Sequence, residues 1–107
     1  MAESILRALA ALGQGTRLEA FRLLVRAGPD GLAVGELAAR LQVPVSTLSR
    51  HLDQLQQGRL VRTRREGRHV YHAIDWDGTR ALLDYLTEDC CQGLDPATCA
   101  TRNGETA

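Results

Sequence analysis

The sequence contains no lysine, so arginine supplies all 13 of its basic side chains. It also has no apolar run near the roughly 18 residues that a membrane-spanning helix needs. Its first twelve residues lack the charged, apolar and cleavage segments of a secretory signal. The absence of a membrane span and of a secretory signal predicts a soluble protein of the cytoplasm.

Aromatic residues are scarce, at 4% of 107 residues, and cysteine occurs only three times. The core must therefore be built from Leu, Val and Ala, a composition that suits packed helices. A chain of this length is expected to form one domain, and its modest core favours shared burial in a dimer. An odd number of cysteines in a cytosolic protein favours free thiols, metal ligands or redox chemistry over a disulfide framework.

Charge is unevenly distributed along the chain, although the formal net charge is zero. Residues 46–69 carry six arginines and two acids, a net charge of +4. Residues 75–107 carry seven acids and two arginines, a net charge of −5. A basic block beside an acidic block is typical of a local DNA-binding surface.

Apolar residues recur at helical spacing through the first part of the chain and predict four helices. Thr16 and Glu19 have the spacing of a capping box, which is expected to open the second helix. Glycines are expected to end the first, second and fourth helices. The predicted apolar stripes are Ile5, Leu6, Leu9 and Leu12; Leu18, Phe21, Leu24 and Val25; Val34, Leu37, Ala38 and Leu41; and Leu48, Leu52 and Leu55.

The pattern changes after Gly58 from a period of 3.6 residues to a period of two. Residues 60–64 and 69–74 are the expected strands of a β-hairpin, with residues 65–68 as its basic tip. A last helix is predicted from about Asp77 to Cys91, with Leu82, Leu83 and Leu86 on one face. The expected fold class is mainly α with a small β-hairpin, arranged as a winged helix-turn-helix.

The fourth helix is expected to read DNA, because its apolar stripe faces inward and its opposite face is polar. Arg50 and Gln54 are candidates for contacts to base edges. Residues at the start of the helix are expected to contact the DNA backbone, and arginines of the hairpin tip to contact phosphates or the adjacent minor groove. The candidate DNA-binding residues are Ser46, Thr47, Ser49, Arg50, His51, Gln54, Arg64, Arg65 and Arg68. The histidines His51, His69 and His72 are expected to face DNA or to be structural.

The segment Leu48-Ser49-Arg50-His51-Leu52, followed by the hairpin 65–72, resembles the ArsR/SmtB family of metalloregulatory repressors. Leu12-Gly13 followed by Thr16-Arg17-Leu18 is similar to that family's entry to its second helix. The resemblance covers about residues 4–92. It implies a homodimer that pairs through its first and last helices, binds double-stranded operator DNA and represses its own operon until an inducer binds. The chain then divides into a DNA-binding and dimerisation domain, 1–92, and a tail, 93–107.

The resemblance also constrains the inducer site. Ala33 and Gly35 occupy the positions where the family's best-known arsenic sensors carry cysteines, so that site is absent. The positions of the family's zinc site on the last helix hold Asp75, Asp77, Glu88 and Cys91, without a histidine. Zinc favours Cys and His ligands, which argues against a strong zinc site there.

The remaining candidate ligands are Cys90, Cys91 and Cys99, and some arsenic sensors of the family use such a C-terminal set. Trivalent arsenic is soft and takes three thiolates, so three cysteines without a histidine suit it better than zinc. On an unbroken helix the adjacent side chains diverge by about 100°, so both reach one ion only if the helix frays. The acids Asp84, Glu88 and Asp89 are expected to raise the thiol pKa values.

The sequence therefore predicts an arsenite-responsive repressor that is not an enzyme, with one trivalent arsenic per three-thiolate site and no organic cofactor. Four alternatives stay open. Cys90 could be a buried apolar residue of the last helix and Cys99 incidental. The protein could be a redox sensor of the same fold, a thiol enzyme, or a DNA-binding module without a ligand.

Overall fold

The computed structural model describes residues 2–94, and in this part of the chain it contains five helices and a three-stranded antiparallel sheet. The predicted fold class, mainly α with a small β-hairpin in a winged helix-turn-helix, is confirmed. In chain order the elements are α1 (Ala2–Leu12), α2 (Gly15–Ala27), β1 (Leu32–Ala33), α3 (Val34–Leu41), α4 (Val45–Gln57), β2 (Val61–Glu66), β3 (His69–Ile74) and α5 (Trp76–Thr87).

The core is aliphatic, as the composition predicts, and the inward stripe of α4 lies at its centre. Leu48, Leu52 and Leu55 are 0–2% exposed, and they cluster with the fully buried Leu24 and Leu37. Full burial of one such side chain stabilises the fold by about 1.5–3 kcal/mol. Because α4 is fixed by this stripe, its polar face is held outward in one orientation.

The start of α2 differs from the prediction. Gln14 caps the helix, and its Oε1 accepts a hydrogen bond of 2.9 Å from the backbone N–H of Arg17. Thr16 therefore lies inside the helix, and the predicted capping box of Thr16 and Glu19 is wrong. The physical reason is that the Gln14 side chain reaches the third helical N–H, so the helix begins two residues earlier than predicted.

The hairpin forms as predicted but has a tighter turn. Glu66 pairs with His69, so only Gly67 and Arg68 connect the strands, and the tip predicted over residues 65–68 is too long. Gly67 adopts a φ of +62°, which favours glycine and suits a two-residue hairpin turn. Strand β1 is not predicted from the sequence; it pairs through Leu32 with His72 and gives the sheet order β1-β3-β2.

The last helix is shorter than predicted, because α5 ends at Thr87 and not at Cys91. Thr87 donates a hydrogen bond of 2.8 Å from its hydroxyl to the carbonyl of Leu83. Glu88 and Asp89 follow directly, and carboxylates are unfavourable at the negative end of a helix dipole. Asp89 adopts a φ of +60°, so the chain turns there.

Helices α1 and α5 pack against each other and leave apolar side chains uncovered. Leu82 is buried within the chain, whereas Leu83 and Leu86 are 53% and 54% exposed, so these three residues do not share one face as predicted. On α1, Leu6 and Leu9 are 65% and 39% exposed. We call Leu6, Leu9, Leu83 and Leu86 the α1/α5 apolar surface. Within residues 2–94 no helix is long and apolar enough to cross a membrane.

Candidate nucleic-acid interface and thiol pair

The outward face of α4 carries most of the candidate DNA-binding residues. Five of them are exposed on this helix: Ser46, Thr47, Ser49, Arg50 and Gln54. His51 is only half-buried, at the edge of this face. Together with Ser46, Thr47 and Arg50 it lines a shallow depression at the start of the helix. The structure thus brings hydroxyl, guanidinium and imidazole groups together on one open surface.

The start of α4 is suited to an anion. Pro44 is its N-cap and offers no side-chain acceptor to the first N–H groups, and no acid lies in the first turn. These N–H groups and the positive end of the helix dipole favour negative charge nearby. A phosphate oxygen is therefore a suitable ligand for the depression beside Ser46 and Thr47.

His51 is held by Arg17, which is not among the candidate DNA-binding residues. Nη1 of Arg17 lies 3.2 Å from Nδ1 of His51, and Nε of Arg17 donates to the carbonyl of Ala11 at 2.7 Å. Burial, followed by the charge of Arg17, lowers the pKa of His51 below its ordinary 6.5. The neutral form of His51 is therefore favoured. No sequence pattern connects residues 34 positions apart, so only the fold shows this pair.

The three candidate arginines of the wing have different surroundings. Arg64 is tied to the protein: it donates to the carbonyl of Asp30 at 2.9 Å, pairs with Glu66 at 3.3 Å, and lies 4.7 Å from the ring centre of Tyr71. Arg65 and Arg68 are exposed, and neither has an ion pair within residues 2–94. The two free guanidinium groups are the stronger candidates for phosphate contacts, while Arg64 holds the hairpin in place.

Cys90 and Cys91 lie in the turns that follow α5, and their sulfur atoms are 3.5 Å apart. The prediction that the last helix extends to Cys91 is wrong, so Cys90 and Cys91 lie beyond its end at Thr87. Cys91 has a φ of +60°, in the left-handed region, and its sulfur lies beside that of Cys90. Two thiolates on one ion at about 2.3 Å, with a tetrahedral angle, lie about 3.8 Å apart. The turn therefore places the pair close to the spacing that one soft ion requires.

Both thiols are exposed, which contradicts the alternative that Cys90 is a buried apolar residue. A hydrogen bond with Cys91, and then the charge of that thiol, raises the pKa of Cys90. The acids Asp84, Glu88 and Asp89, which the sequence predicts as the cause of such a shift, are not among its causes; the main cause is the neighbouring sulfur. Cys90 is therefore a thiol at neutral pH.

No group of three or more His, Cys, Asp or Glu side chains within residues 2–94 is arranged to hold a metal ion. The positions Asp75, Asp77, Glu88 and Cys91 do not form such a group. Asp75 instead caps α5, where its carboxylate accepts from the N–H of Gly78 at 3.1 Å. Cys99, the third candidate ligand, lies outside the described residues.

Helices α3 and α4, followed by the basic hairpin of β2 and β3, form a winged helix-turn-helix, an architecture that DNA-binding transcription regulators use. A family profile described as a helix-turn-helix domain matches residues 12–64. The chain is 33% identical over 84 residues to the transcriptional activator HlyU of Vibrio cholerae, covering 78% of this chain and 75% of that protein. It is 32% identical over 80 residues to the nodulation protein NolR of Rhizobium meliloti, covering 75% of this chain and 63% of that protein.

Solved structures of similar regulators share the fold of this chain. The structure of HlyU from Vibrio cholerae superposes with a TM-score of 0.65 at 30% identity, over 84% of this chain and 95% of that one. The homodimeric winged helix-turn-helix domain of Mb0332 from Mycobacterium bovis, a possible ArsR-family regulator, superposes with a TM-score of 0.66 at 30% identity. The match covers 83% of this chain and 82% of that one. An ArsR-like regulator from Rhodococcus superposes with a TM-score of 0.70 at 26% identity, over 79% of this chain and 77% of that one. The chain belongs to the ArsR/SmtB family of transcriptional regulators.

Proposed function

We propose that this protein is an arsenite-responsive transcriptional repressor, which binds operator DNA as a homodimer and releases it when trivalent arsenic binds Cys90, Cys91 and Cys99. The observation that carries the proposal is the 3.5 Å separation of the Cys90 and Cys91 sulfurs on an exposed turn. This turn follows α5, whose outer side chains belong to the α1/α5 apolar surface.

For operator binding, α4 enters a major groove and the wing lies beside it. Arg50 and Gln54 read base edges, while Ser46, Thr47 and Ser49 contact the backbone at the uncapped start of the helix. Arg65 and Arg68 neutralise phosphates at the hairpin tip. Two protomers place two such helices on half-sites that are one helical turn, or a small multiple of it, apart.

The homodimer rests on the α1/α5 apolar surface. Its four leucines are 39–65% exposed in the single chain, and they lie on two helices that pack side by side. Burial of such a surface against a second copy is favourable by roughly 25 cal/mol for each Å² of apolar area. The Mb0332 domain, which is described as homodimeric, supports a dimer of this fold.

The donor set suits trivalent arsenic better than zinc. Cys90 and Cys91 supply two soft sulfurs, and no histidine or third ligand joins them within residues 2–94. Bound arsenic would supply a single centre that prefers three thiolates, and Cys99 would be the third ligand. Because the backbone already pairs the first two thiols, little conformational freedom remains to be lost there.

Ligand capture acts on DNA through the segment after α5. Cys90 lies three residues beyond Thr87, the last residue of that helix. Joining the thiols constrains this segment, which favours a dimer geometry in which the two α4 helices no longer match the groove spacing. Useful derepression requires a coupling of about 1–3 kcal/mol or more, and operator DNA must weaken inducer binding by the same factor.

The test is a titration of a labelled DNA duplex, selected from a random-sequence library by the wild-type protein. Arsenite, zinc and the thiol oxidant diamide are added in turn to the wild type and to Cys90→Ser, Cys91→Ser and Cys99→Ser. We expect arsenite to release the wild-type protein from the duplex. Each substitution should weaken that response without changing the affinity for the duplex in the absence of arsenite. Release by zinc but not by arsenite would contradict the assignment of the inducer.

A second candidate is a thiol-based redox sensor of the same fold. Its support is that both sulfurs are exposed and accessible to an oxidant, and that the relative HlyU has been solved in a form described as reduced. A disulfide between adjacent cysteines closes a strained ring, so Cys99 would have to pair with one of them. In the same titration, release by diamide that arsenite cannot reproduce would favour this candidate.

A further inference from the structure

Three parts of the chain meet at Arg17, near the start of α2. Its backbone N–H is bound by the cap residue Gln14, and its Nε donates to the carbonyl of Ala11 in the last turn of α1. Its Nη1 reaches Nδ1 of His51 on α4 at 3.2 Å. The guanidinium group therefore links a helix of the proposed dimer interface to the reading helix.

The direction of the Arg17–His51 hydrogen bond follows from the chemistry of the two groups. Arginine is always charged in proteins and only donates, so Nδ1 of His51 must accept. A neutral imidazole that accepts at Nδ1 carries its proton on Nε2. Burial and the charge of Arg17 lower the pKa of His51, which agrees with a neutral ring.

We propose that Arg17 is a positioning residue for DNA recognition: it holds His51 as the Nε2–H tautomer, and His51 thereby presents a neutral N–H donor to the DNA. The proposal deepens the operator binding described above and rests on α4 being the reading helix. Its basis is the pair of hydrogen bonds that fixes Arg17 between Ala11 and His51.

The location of His51 fits a donor aimed at DNA. The ring lines the depression that it shares with Ser46, Thr47 and Arg50 at the uncapped start of α4. Nε2 has no hydrogen-bond partner within residues 2–94, and it is not one of the buried unpaired atoms there. Phosphate oxygens and the N7 and O6 atoms of guanine accept hydrogen bonds, so each is a suitable partner for this N–H.

The first test needs no DNA. Long-range ¹H–¹⁵N NMR spectra of the imidazole rings of the full chain at pH 7.5 report which nitrogen of His51 is protonated. We expect Nε2–H in the wild type and a mixture of tautomers in Arg17→Met. A wild-type ring protonated at Nδ1, or an unchanged tautomer in Arg17→Met, would overturn the proposal.

The second test uses two substitutions that separate the two ring nitrogens. In His51→Asn the amide oxygen can still accept from Arg17, but no atom occupies the position of Nε2. In His51→Gln an amide N–H occupies that position. Against the selected duplex we expect His51→Asn to bind about tenfold more weakly, and His51→Gln to stay within about threefold of the wild type. Equal affinities for the two variants would contradict the proposal.

Salt dependence identifies the charge of the donor. Loss of a neutral donor leaves the slope of log K against log salt unchanged in His51→Asn, whereas Arg65→Ala, which removes a phosphate contact, lowers its magnitude by about 0.9. A lower slope in His51→Asn would mean that His51 acts as a cation, which overturns the neutral-donor assignment. If Arg50→Ala and Gln54→Ala also bind like the wild type, α4 is not the reading helix and the proposed function itself fails.

Chemical denaturation of every variant controls for stability. If Arg17→Met does not fold, the wild-type tautomer and the two His51 variants still decide the proposal.

Discussion

Gly78, in the first turn of α5, packs directly against the backbone of Arg59. A Cβ atom on Gly78 would lie 2.7 Å from the Cβ of Arg59 and 2.8 Å from its carbonyl carbon. Arg59 itself has a φ of +61°, in the turn between α4 and β2. This close approach joins the last helix to the base of the wing. It leaves no room for a side chain at position 78, so the residue there is glycine.

We expect Gly78→Ala to destabilise the fold by about 3 kcal/mol, because the methyl group would displace the backbone of the α4–β2 turn. Urea denaturation followed by circular dichroism measures the change. A loss smaller than about 0.5 kcal/mol would show that α5 can move away from Arg59 without cost.

The matched control is Gly35→Ala in α3. A Cβ atom on Gly35 meets nothing within 4 Å, and this glycine has no positive φ. Alanine is favoured over glycine in a helix, so this variant should be about 0.5–1 kcal/mol more stable than the wild type. Opposite signs for the two variants would separate the packing effect from a general effect of Gly→Ala.

The sequence predicts the fold well where one periodicity decides the structure. The α4 stripe of Leu48, Leu52 and Leu55 is buried as expected, and the hairpin follows from the change of period. Ends of elements are less predictable, since α5 stops at Thr87 under the influence of following acids and a side-chain hydrogen bond. Contacts such as Arg17–His51 depend on tertiary packing and have no local signal.

The wing arginines should divide into one that stabilises the hairpin and two that bind DNA. Arg64→Ala removes the bond to Asp30 and the contact with Tyr71, and we expect a loss of about 1 kcal/mol in the free energy of unfolding. Arg65→Ala should leave stability unchanged and lower the salt slope of duplex binding by about 0.9. The paired measurements are urea denaturation and fluorescence anisotropy; a stability loss in Arg65→Ala would contradict the division.

Two histidines should make stability fall in acid. Burial and the charge of Arg17 lower the pKa of His51; burial lowers the pKa of His72, and nearby Asp53 only partly opposes this. Below the ordinary value of 6.5 the unfolded chain therefore binds more protons than the folded chain. We expect the free energy of unfolding to decrease as the pH falls from about 7.5 through 6.5 and below, as measured by urea denaturation.

The control is the double variant His51→Gln, His72→Gln, which keeps polar side chains but removes both titrating groups. Its stability should depend less steeply on pH in that window, and the remaining slope belongs to the carboxylates. An unchanged slope would show that neither imidazole contributes.

A charge in the α1/α5 apolar surface should oppose dimer formation. Leu86→Glu places a carboxylate where a second copy would bury an apolar side chain, and we expect the dimer dissociation constant to rise at least about 100-fold. Val25→Glu is the control, because Val25 is 38% exposed on α2 and lies outside that surface. Sedimentation equilibrium measures both; equal dissociation constants for the two variants would mean that the protomers pair elsewhere.

A two-thiol arsenical separates the roles of the cysteines. Phenylarsine oxide carries one arsenic–carbon bond and therefore takes two thiolates, whereas arsenite takes three. Cys90 and Cys91, with sulfurs 3.5 Å apart, should suffice to bind phenylarsine oxide. We therefore expect Cys99→Ser to bind phenylarsine oxide within about threefold of the wild type. Its affinity for arsenite should fall at least about tenfold. Cys90→Ser and Cys91→Ser should lose both. Competition with a dithiol-specific fluorophore reports the affinities, and equal losses of arsenite and phenylarsine oxide binding in Cys99→Ser would show that Cys99 belongs to the first pair of ligands.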